Sequence, residues 1–362
     1  GYDTFNESEE AASVAAYYGA DHREVFVTQK NLESAWLDIV QHQDEPLGDW
    51  VCLPLYFVAK AASEEVKVVL VGEGADEIFL GYSSYLRHMR AYSKYWIPFQ
   101  RFTPSVVKTA IALCVPILGK LFSARPALID YILRAAREGQ SFLGGATTFF
   151  EFEKNQLLKK TELIKKYKAY EQNLIDEADL GVFDTEIIAS SAQLSSKISV
   201  KNYFKEMVNL ELLYRLPELL LMRSDKMTMA HSLEARFPFL DHELVATVYN
   251  QNDEWKCIGD KPKALLKDAM HGSIPKNVIE RAKVGFGAPI SEWLKSEYGH
   301  KIEKEIFASK LINNGCFNPK YIKKLFDSHR SGRIDNSAKI WLLYNLTSWY
   351  SVWIDPDKMV CS

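Results

Sequence analysis

The segment Val71-Gly72-Glu73-Gly74-Ala75-Asp76-Glu77 points most directly to chemistry. It follows Val66 to Val71, a nearly continuous apolar run that reads as a strand of a sheet covered on both faces. In open α/β sheets, ligands sit beyond the carboxyl ends of the strands. Gly72 and Gly74 carry no Cβ and let a ligand approach the backbone, and Glu73 between them would point into such a crevice. Asp76 and Glu77 come one turn later, where a carboxylate could hold Mg²⁺ beside ATP phosphates. The same residues also suit an acidic surface turn, and the local string alone leaves both readings open.

Further charged and turn-rich segments follow in a fixed order. Asp44-Glu45-Pro46 and Asp49 lie upstream. Downstream come Leu216-Pro217-Glu218, then the run Arg223-Ser224-Asp225-Lys226-Met227 through Glu234-Ala235-Arg236-Phe237-Pro238-Phe239-Leu240-Asp241. Lys263-Ala264-Leu265-Leu266-Lys267 and Arg281-Ala282-Lys283-Val284-Gly285-Phe286-Gly287 complete the set. Taken together, these segments resemble the C-terminal, ATP-dependent synthetase domain of the glutamine-hydrolysing asparagine synthetase family. The resemblance runs from about Phe5 to Trp353 and is weakest between Trp96 and Leu210.

The resemblance implies a fold and a reaction. The fold would be α/β, a parallel-sheet domain of the adenine nucleotide α-hydrolase type, with a large and mostly helical remainder. The reaction would use ATP and Mg²⁺ to adenylate a carboxylate, aspartate in the type reaction, with release of pyrophosphate. Ammonia derived from glutamine would then displace AMP. The first step needs the carboxylate held against the α-phosphate and cations to spread the leaving charge. The second needs a group that accepts a proton from the amine.

By motif match, Glu73 is expected to be the proton acceptor or to order the intermediate. Lys283 is expected to neutralise the α-phosphate and pyrophosphate. Arg223, with Asp225, is expected to contact pyrophosphate or the acyl acceptor. Val71, Gly72 and Gly74 are expected to line the adenylate pocket, and Asp76 to ligate Mg²⁺. Structural roles compete with some of these. Asp225 and Lys226 could form an ion pair, and Glu234 and Arg236 could fix a buried turn. Asp44 and Asp49 could contact nucleotide or equally mark helix boundaries, and the lysines at 159, 160, 165, 166 and 168 could be a solvated stripe.

The elements that must position these residues alternate helix and strand over the first hundred residues. Asn6, with Glu9 three positions on, predicts a capped helix through Val14 and Tyr18 that stops at Gly19. Glu24 to Thr28 reads as a short strand, Leu32 to His42 as a second helix, and Tyr56 to Ala59 as part of a third. Such alternation implies a parallel sheet. Beyond about Tyr95 the periodicity is helical and no strand alternation stands out. The division expected is residues 1–95 for the α/β part, 96–200 for a helical insertion, and 201–362 for a helical part packed on the sheet. An aromatic helix around Trp341, Tyr344, Trp349 and Trp353 closes the chain.

Composition bounds the rest. The chain has 362 residues and a net charge of -3, which argues against a general nucleic-acid binder. Five scattered cysteines without a CxxC pair read as reduced thiols of a cytoplasmic protein. The most apolar run, Thr109 to Gly119, carries Pro116 and is well short of the ~20 residues of a membrane span. It reads first as a packing helix and second as a membrane-surface helix. No HExxH spacing occurs, and Gly81-Tyr82-Ser83-Ser84-Tyr85 lacks the closing glycine of a nucleophile elbow.

The sequence also departs from the family pattern. No Ser-Gly-Gly-x-Asp-Ser pyrophosphate loop occurs in the chain, and nothing in it corresponds to a glutaminase domain with its N-terminal cysteine. The chain is therefore expected to be a piece of a longer protein, with a homologue that has lost catalysis as the alternative. Alone it should bind ATP poorly and should not hydrolyse glutamine. Partners expected are small molecules and a glutaminase domain in the full-length protein, with a homodimer admissible. Val71 stands where many members carry serine, and the stretch from about Pro98 to Leu210 resembles relatives of surface-polysaccharide or secondary metabolism, which amidate other carboxylates. An amide cyclase and a non-catalytic scaffold subunit remain as rival readings.

Overall fold

The computed structural model describes residues 7–121, 125–159, 165–166, 203–258, 261–281 and 287–355. The described residues are mostly helical with one small parallel sheet. They form two compact units, the first from Gly1–Tyr82, Leu212–Ser309 and Leu325–Ser362, the second from Ser83–Glu211 and Lys310–Lys324.

The first unit opens with α1 (Ser8–Tyr18), which Gly19 ends in the left-handed conformation, φ 62°, donating to the Ala15 and Ala16 carbonyls. The expected cap, Asn6, lies outside the described residues. Glu24 to Thr28 forms no strand. Thr28 instead caps α2 (Gln29–Gln43): its amide donates to Asn31 Oδ1 at 2.8 Å and its hydroxyl accepts from the Asn31 amide. No strand among the described residues pairs with this segment, so β-propensity has nothing to act on. α3 (Cys52–Ser63) follows, then β1 (Val68–Leu70) and a single turn, α4 (Ala75–Ile78).

The chain then enters the second unit. It contains α5 (Ser83–Ala91), a π-helical turn at Tyr92–Trp96, α6 (Ile97–Phe102), α7 (Ser105–Leu121), α8 (Pro126–Ala136), α9 (Glu151–Leu157) and α10 (Tyr203–Leu210). Stacked rings hold it together: Tyr92 lies flat on Tyr203 at 3.8 Å, and Trp96 meets Tyr131 edge-on at 5.0 Å. The segment Lys310–Lys324 joins this unit through backbone bonds, Asn318 to the Leu157 carbonyl at 2.8 Å and Lys159 to the Cys316 carbonyl at 2.7 Å. Of the lysine stripe, Lys165 and Lys166 are exposed, and Lys160 and Lys168 lie outside the described residues.

On α10, burial pushes the Glu206 carboxyl up to about 7. A raised acid is protonated in the fold at a pH where the unfolded chain has already released the proton. Its penalty is absent below about pH 4.5 and grows as pH rises through 7. Glu206→Gln should therefore raise the melting temperature at pH 8 and leave it unchanged at pH 4. The gain is about 1 kcal/mol after allowance for solvent screening, read from thermal melts at both pH values.

Back in the first unit, a π-helical stretch (Glu211–Leu221) holds Pro217 and runs into α11 (Met222–Met229). β2 (Glu234–Arg236) pairs with β1 in parallel, Val68 opposite Glu234 and Leu70 opposite Arg236. Two expectations are corrected by this pair. The sequence beyond Tyr95 does contain a strand, which its charged, three-residue length disguised. β1 is also not covered on both faces, since Val68 is 49% and Leu70 76% exposed. Glu234 and Arg236 bond to each other at 2.7 Å with both side chains largely exposed, so they fix no buried turn.

The rest of this unit includes α12 (His242–Tyr249), α13 (Ala264–Ala269), α14 (Ile290–Lys295), α15 (Glu297–Ala308), α16 (Pro319–Arg330) and the aromatic α17 (Ser337–Trp353). The last residues of α16 belong to it, the first to the second unit. α17 locks onto α2: Trp36 stacks on Tyr344 at 5.0 Å and donates from Nε1 to Ser348 Oγ at 2.9 Å. Deeper in, Asn345 donates from Nδ2 to Gln43 Oε1 at 2.7 Å, one bond between two buried amides whose other polar atoms, Gln43 Nε2 and Asn345 Oδ1, have no hydrogen-bond partner among the described residues. α2 in turn carries the turn that bears Asp44 and Asp49.

Candidate active site

Three chain segments meet beyond the carboxyl end of β1. The Arg223 guanidinium, on α11, donates through Nη1 to Asp49 Oδ2 and through Nη2 to Glu73 Oε1, the latter at 2.7 Å. All three side chains are largely buried. Burial opposes the Arg223 charge, yet Asp49 and Glu73 outweigh it and hold its pKa above the ordinary guanidinium value. α11 can deliver Arg223 here because it packs on α3 and against β2. Asp49 is placed by its own turn, where Oδ1 accepts from the Val51 amide at 3.0 Å. It thus serves both as a boundary residue before α3 and as a charge partner.

A second ion pair lies one turn on. Asp76, in α4, bonds Lys263 Nζ at 2.8 Å. Lys263 precedes α13 with a left-handed backbone, φ 57°, which costs a residue with a Cβ about 1 kcal/mol or more. The Lys263 segment stands out in the sequence, but nothing local to it assigns a role. Helical spacing alone does not reveal a lysine that reaches back to an acid 187 positions earlier.

Gly81 explains the closeness of this pair. A Cβ there would lie 1.9 Å from Asp76 Oδ1 and 2.8 Å from Asp76 Cα. Its amide also donates to the Asp76 carbonyl at 2.7 Å. Gly81→Ala should displace the Asp76 carboxylate from Lys263 and cost about 1–3 kcal/mol, read as a lower urea midpoint.

The two glycines of the acidic turn differ. Gly74 has φ 96°, and a Cβ on it would meet Leu240 at 2.3 Å, so its place in the fold already demands glycine. Gly72 meets nothing within 4 Å, which leaves open space over its backbone. Val71 donates its amide to the Arg236 carbonyl at 2.8 Å, extending the β1–β2 pairing by one bond. Glu77 turns inward and is 1% exposed. Tyr82 donates to it at 2.6 Å, and the Arg215 guanidinium stands 3.9 Å away over the Tyr82 ring. Burial raises both the Glu77 carboxyl and the Tyr82 phenol. Of the two acids that could face Mg²⁺, Glu77 is thus committed to the interior, and Asp76 remains.

The other charged residues sort as follows. Lys226 bonds Asp44, not Asp225, and Trp349 Nε1 donates to the Asp44 carbonyl. Asp44 closes α2 with φ 59°. Asp225 is exposed. Lys283, with Val284 to Phe286, lies outside the described residues. Among the described residues no three His, Cys, Asp or Glu side chains cluster as a metal site. Mg²⁺ needs no such cluster, because one or two carboxylates suffice when phosphate oxygens supply the other ligands. Cys52, at the start of α3, is a buried free thiol that burial pushes up to about 12, so it is no nucleophile.

Comparison with known proteins shows the family of the chain. The chain is 32% identical to asparagine synthetase [glutamine-hydrolyzing] 1 of Bacillus subtilis over 98% of its own length and 51% of that protein. It is 27% identical to a putative asparagine synthetase [glutamine-hydrolyzing] of Mycobacterium bovis over 97% of its length and 49% of that protein. A human asparagine synthetase [glutamine-hydrolyzing] is 29% identical over 33% of the chain and 24% of that protein. The chain spans about half the length of the first two relatives. With the sequence model of asparagine synthase matching residues 1–351, the chain belongs to the asparagine synthase family.

Proposed function

We propose that this chain is the synthetase part of an ATP-dependent amide-forming ligase, which adenylates a carboxylate, aspartate in the first instance, and transfers ammonia derived from glutamine to it. The observation that carries this reading is the convergence of Asp49, Glu73 and Arg223 beyond the carboxyl end of β1. The parallel pairing of β1 with β2 and the open backbone at Gly72 support a nucleotide site of the adenine nucleotide α-hydrolase kind.

Each residue then has a task. Val71, Gly72 and Gly74 offer backbone to the nucleotide. Asp76 would hold Mg²⁺, whose charge spreads the developing negative charge of pyrophosphate when it is bound. Lys263, now on Asp76, keeps that carboxylate aimed across the turn. Arg223, with Asp225 near it in sequence, would meet pyrophosphate or the acyl acceptor. Its bond to Glu73 fixes the carboxylate expected to take the amine proton or to order the intermediate. Lys283 would add a cation at the α-phosphate.

The test is pyrophosphate release by the full-length protein with ATP, Mg²⁺ and aspartate, followed by asparagine formation on addition of ammonium or glutamine. Pyrophosphate release that depends on a different carboxylate would keep the ligase and replace aspartate. No ATP-dependent pyrophosphate release with any carboxylate would leave the scaffold reading. Lys283→Ala should abolish product formation with little loss of folding, checked by the same assay beside a urea melt.

A further inference from the structure

The second unit carries a surface that the ligase reading does not use. α7 is 17 residues long. Lys108 faces inward from it, bonding Gln100 Oε1 and Glu138 Oε1 at 2.8 Å each. Gly119 sits so close to α8 that a Cβ would meet Ile129 at 2.4 Å. One side of the helix is therefore packed. The opposite side presents Val106, Ala110, Leu113 and Ile117, spaced i, i+4, i+7 and i+11 along a single stripe. Val106 is 80%, Leu113 68% and Ile117 63% exposed, and Phe102 and Leu128 in the flanking helices are also exposed. An aliphatic stripe of this length left in water is unfavourable and marks a contact surface.

The charge around it identifies the contact. From Ile78 to Ile129 the sequence has no Asp or Glu and has seven Lys or Arg, in a chain whose net charge is -3. Arg101 and Arg125, at the two ends of the stripe, are exposed. Arg101 lies over the Phe102 ring at 5.5 Å and Lys94 over the exposed Tyr95 ring at 5.4 Å, pairings of aromatic and cation suited to a water–lipid boundary. The next acids along the sequence are already matched: Asp130 is buried on Arg134, and Glu138 holds Lys108. Among the described residues no helix is long and apolar enough to cross a membrane, and α7 is short of the ~20 residues a span requires.

We infer that the exposed face of α7 docks in the plane of an anionic lipid bilayer, with Val106, Leu113 and Ile117 in the acyl boundary and Arg101 and Arg125 at the headgroups. Sedimentation of the purified protein with phosphatidylcholine vesicles, with and without roughly one-third phosphatidylglycerol, tests this. Binding is expected to the anionic vesicles, weak on neutral ones, and released by about 0.5 M salt. Leu113→Gln with Ile117→Gln, both on the solvent side of the helix, should lower binding at least about tenfold while the melting temperature holds. Cys114 is an exposed free thiol beside the stripe. A fluorophore on it should be quenched by nitroxide-labelled lipid in wild-type protein and not in the double variant. Equal binding to both vesicle types, no binding to either, or undiminished binding by the double variant would overturn the proposal. So would self-association of the wild-type protein that blocks vesicle binding and is lost in the double variant, since the stripe would then be a protein interface.

Discussion

Glu73→Gln in the full-length protein should lower amide formation by about a hundredfold or more and leave the fold intact. The substitution keeps the shape of the side chain and removes its charge. Arg223 loses one of its two carboxylates, but Asp49 still neutralises it. Glu73 is the more exposed of the two, so the stability cost stays near about 1 kcal/mol. The reaction is less tolerant, because an amide oxygen cannot accept a proton from an attacking amine as a carboxylate does. Pyrophosphate release and amide formation are measured separately. If Glu73 is the proton acceptor, the first survives and the second fails. If Glu73 orders the intermediate, both fall. Near-normal turnover with a normal urea melt would remove Glu73 from the site.

The acidic turn was legible because its signals are local. An apolar run, a Gly-x-Gly and an acid one turn later lie within a dozen residues, and the structure places them at the end of β1. What joins that turn to the rest of the site is not local. The Arg223 bond to Glu73 spans 150 positions and its bond to Asp49 spans 174. Motif order nominated Arg223 and Asp49 separately and could not pair them. Lys226 illustrates the same limit: its neighbour Asp225 looked like its partner, but the helix turns Lys226 toward Asp44 instead. β2 escaped notice because a three-residue strand, Glu-Ala-Arg, has no apolar alternation to read and forms only because β1 lies beside it. Glu24 to Thr28 failed for the converse reason, good strand residues with no ladder to join. The helices were easier. Gly19 and the aromatic spacing of α17 act within one or two turns, where sequence and structure report the same forces.

Arg223→Met should be the most destabilising change in the site, by about 3 kcal/mol, because it strands two carboxylates that the wild-type fold holds together. Asp49 and Glu73 both bond the one guanidinium, so its removal leaves like charges facing each other in a largely buried place. A methionine fills the volume of the aliphatic stem, which separates the loss of charge from the loss of packing. The pH dependence carries the sign of the mechanism. In the variant, repulsion and burial favour the protonated carboxylates in the fold, so the folded state binds more protons than the unfolded chain. Stability must then fall as pH rises through the folded pKa and recover as the solution is acidified. Urea midpoints at pH 5 and pH 7.5 should therefore show a smaller deficit at the lower pH. A deficit independent of pH would assign the loss to packing. Asp49→Asn introduced beside Arg223→Met should return part of the lost stability, and the coupling energy from that double-mutant cycle measures how far the triad acts as one unit. Catalysis need not return with stability, because the second variant removes one of the two facing negative charges without restoring the cation that Glu73 leans on.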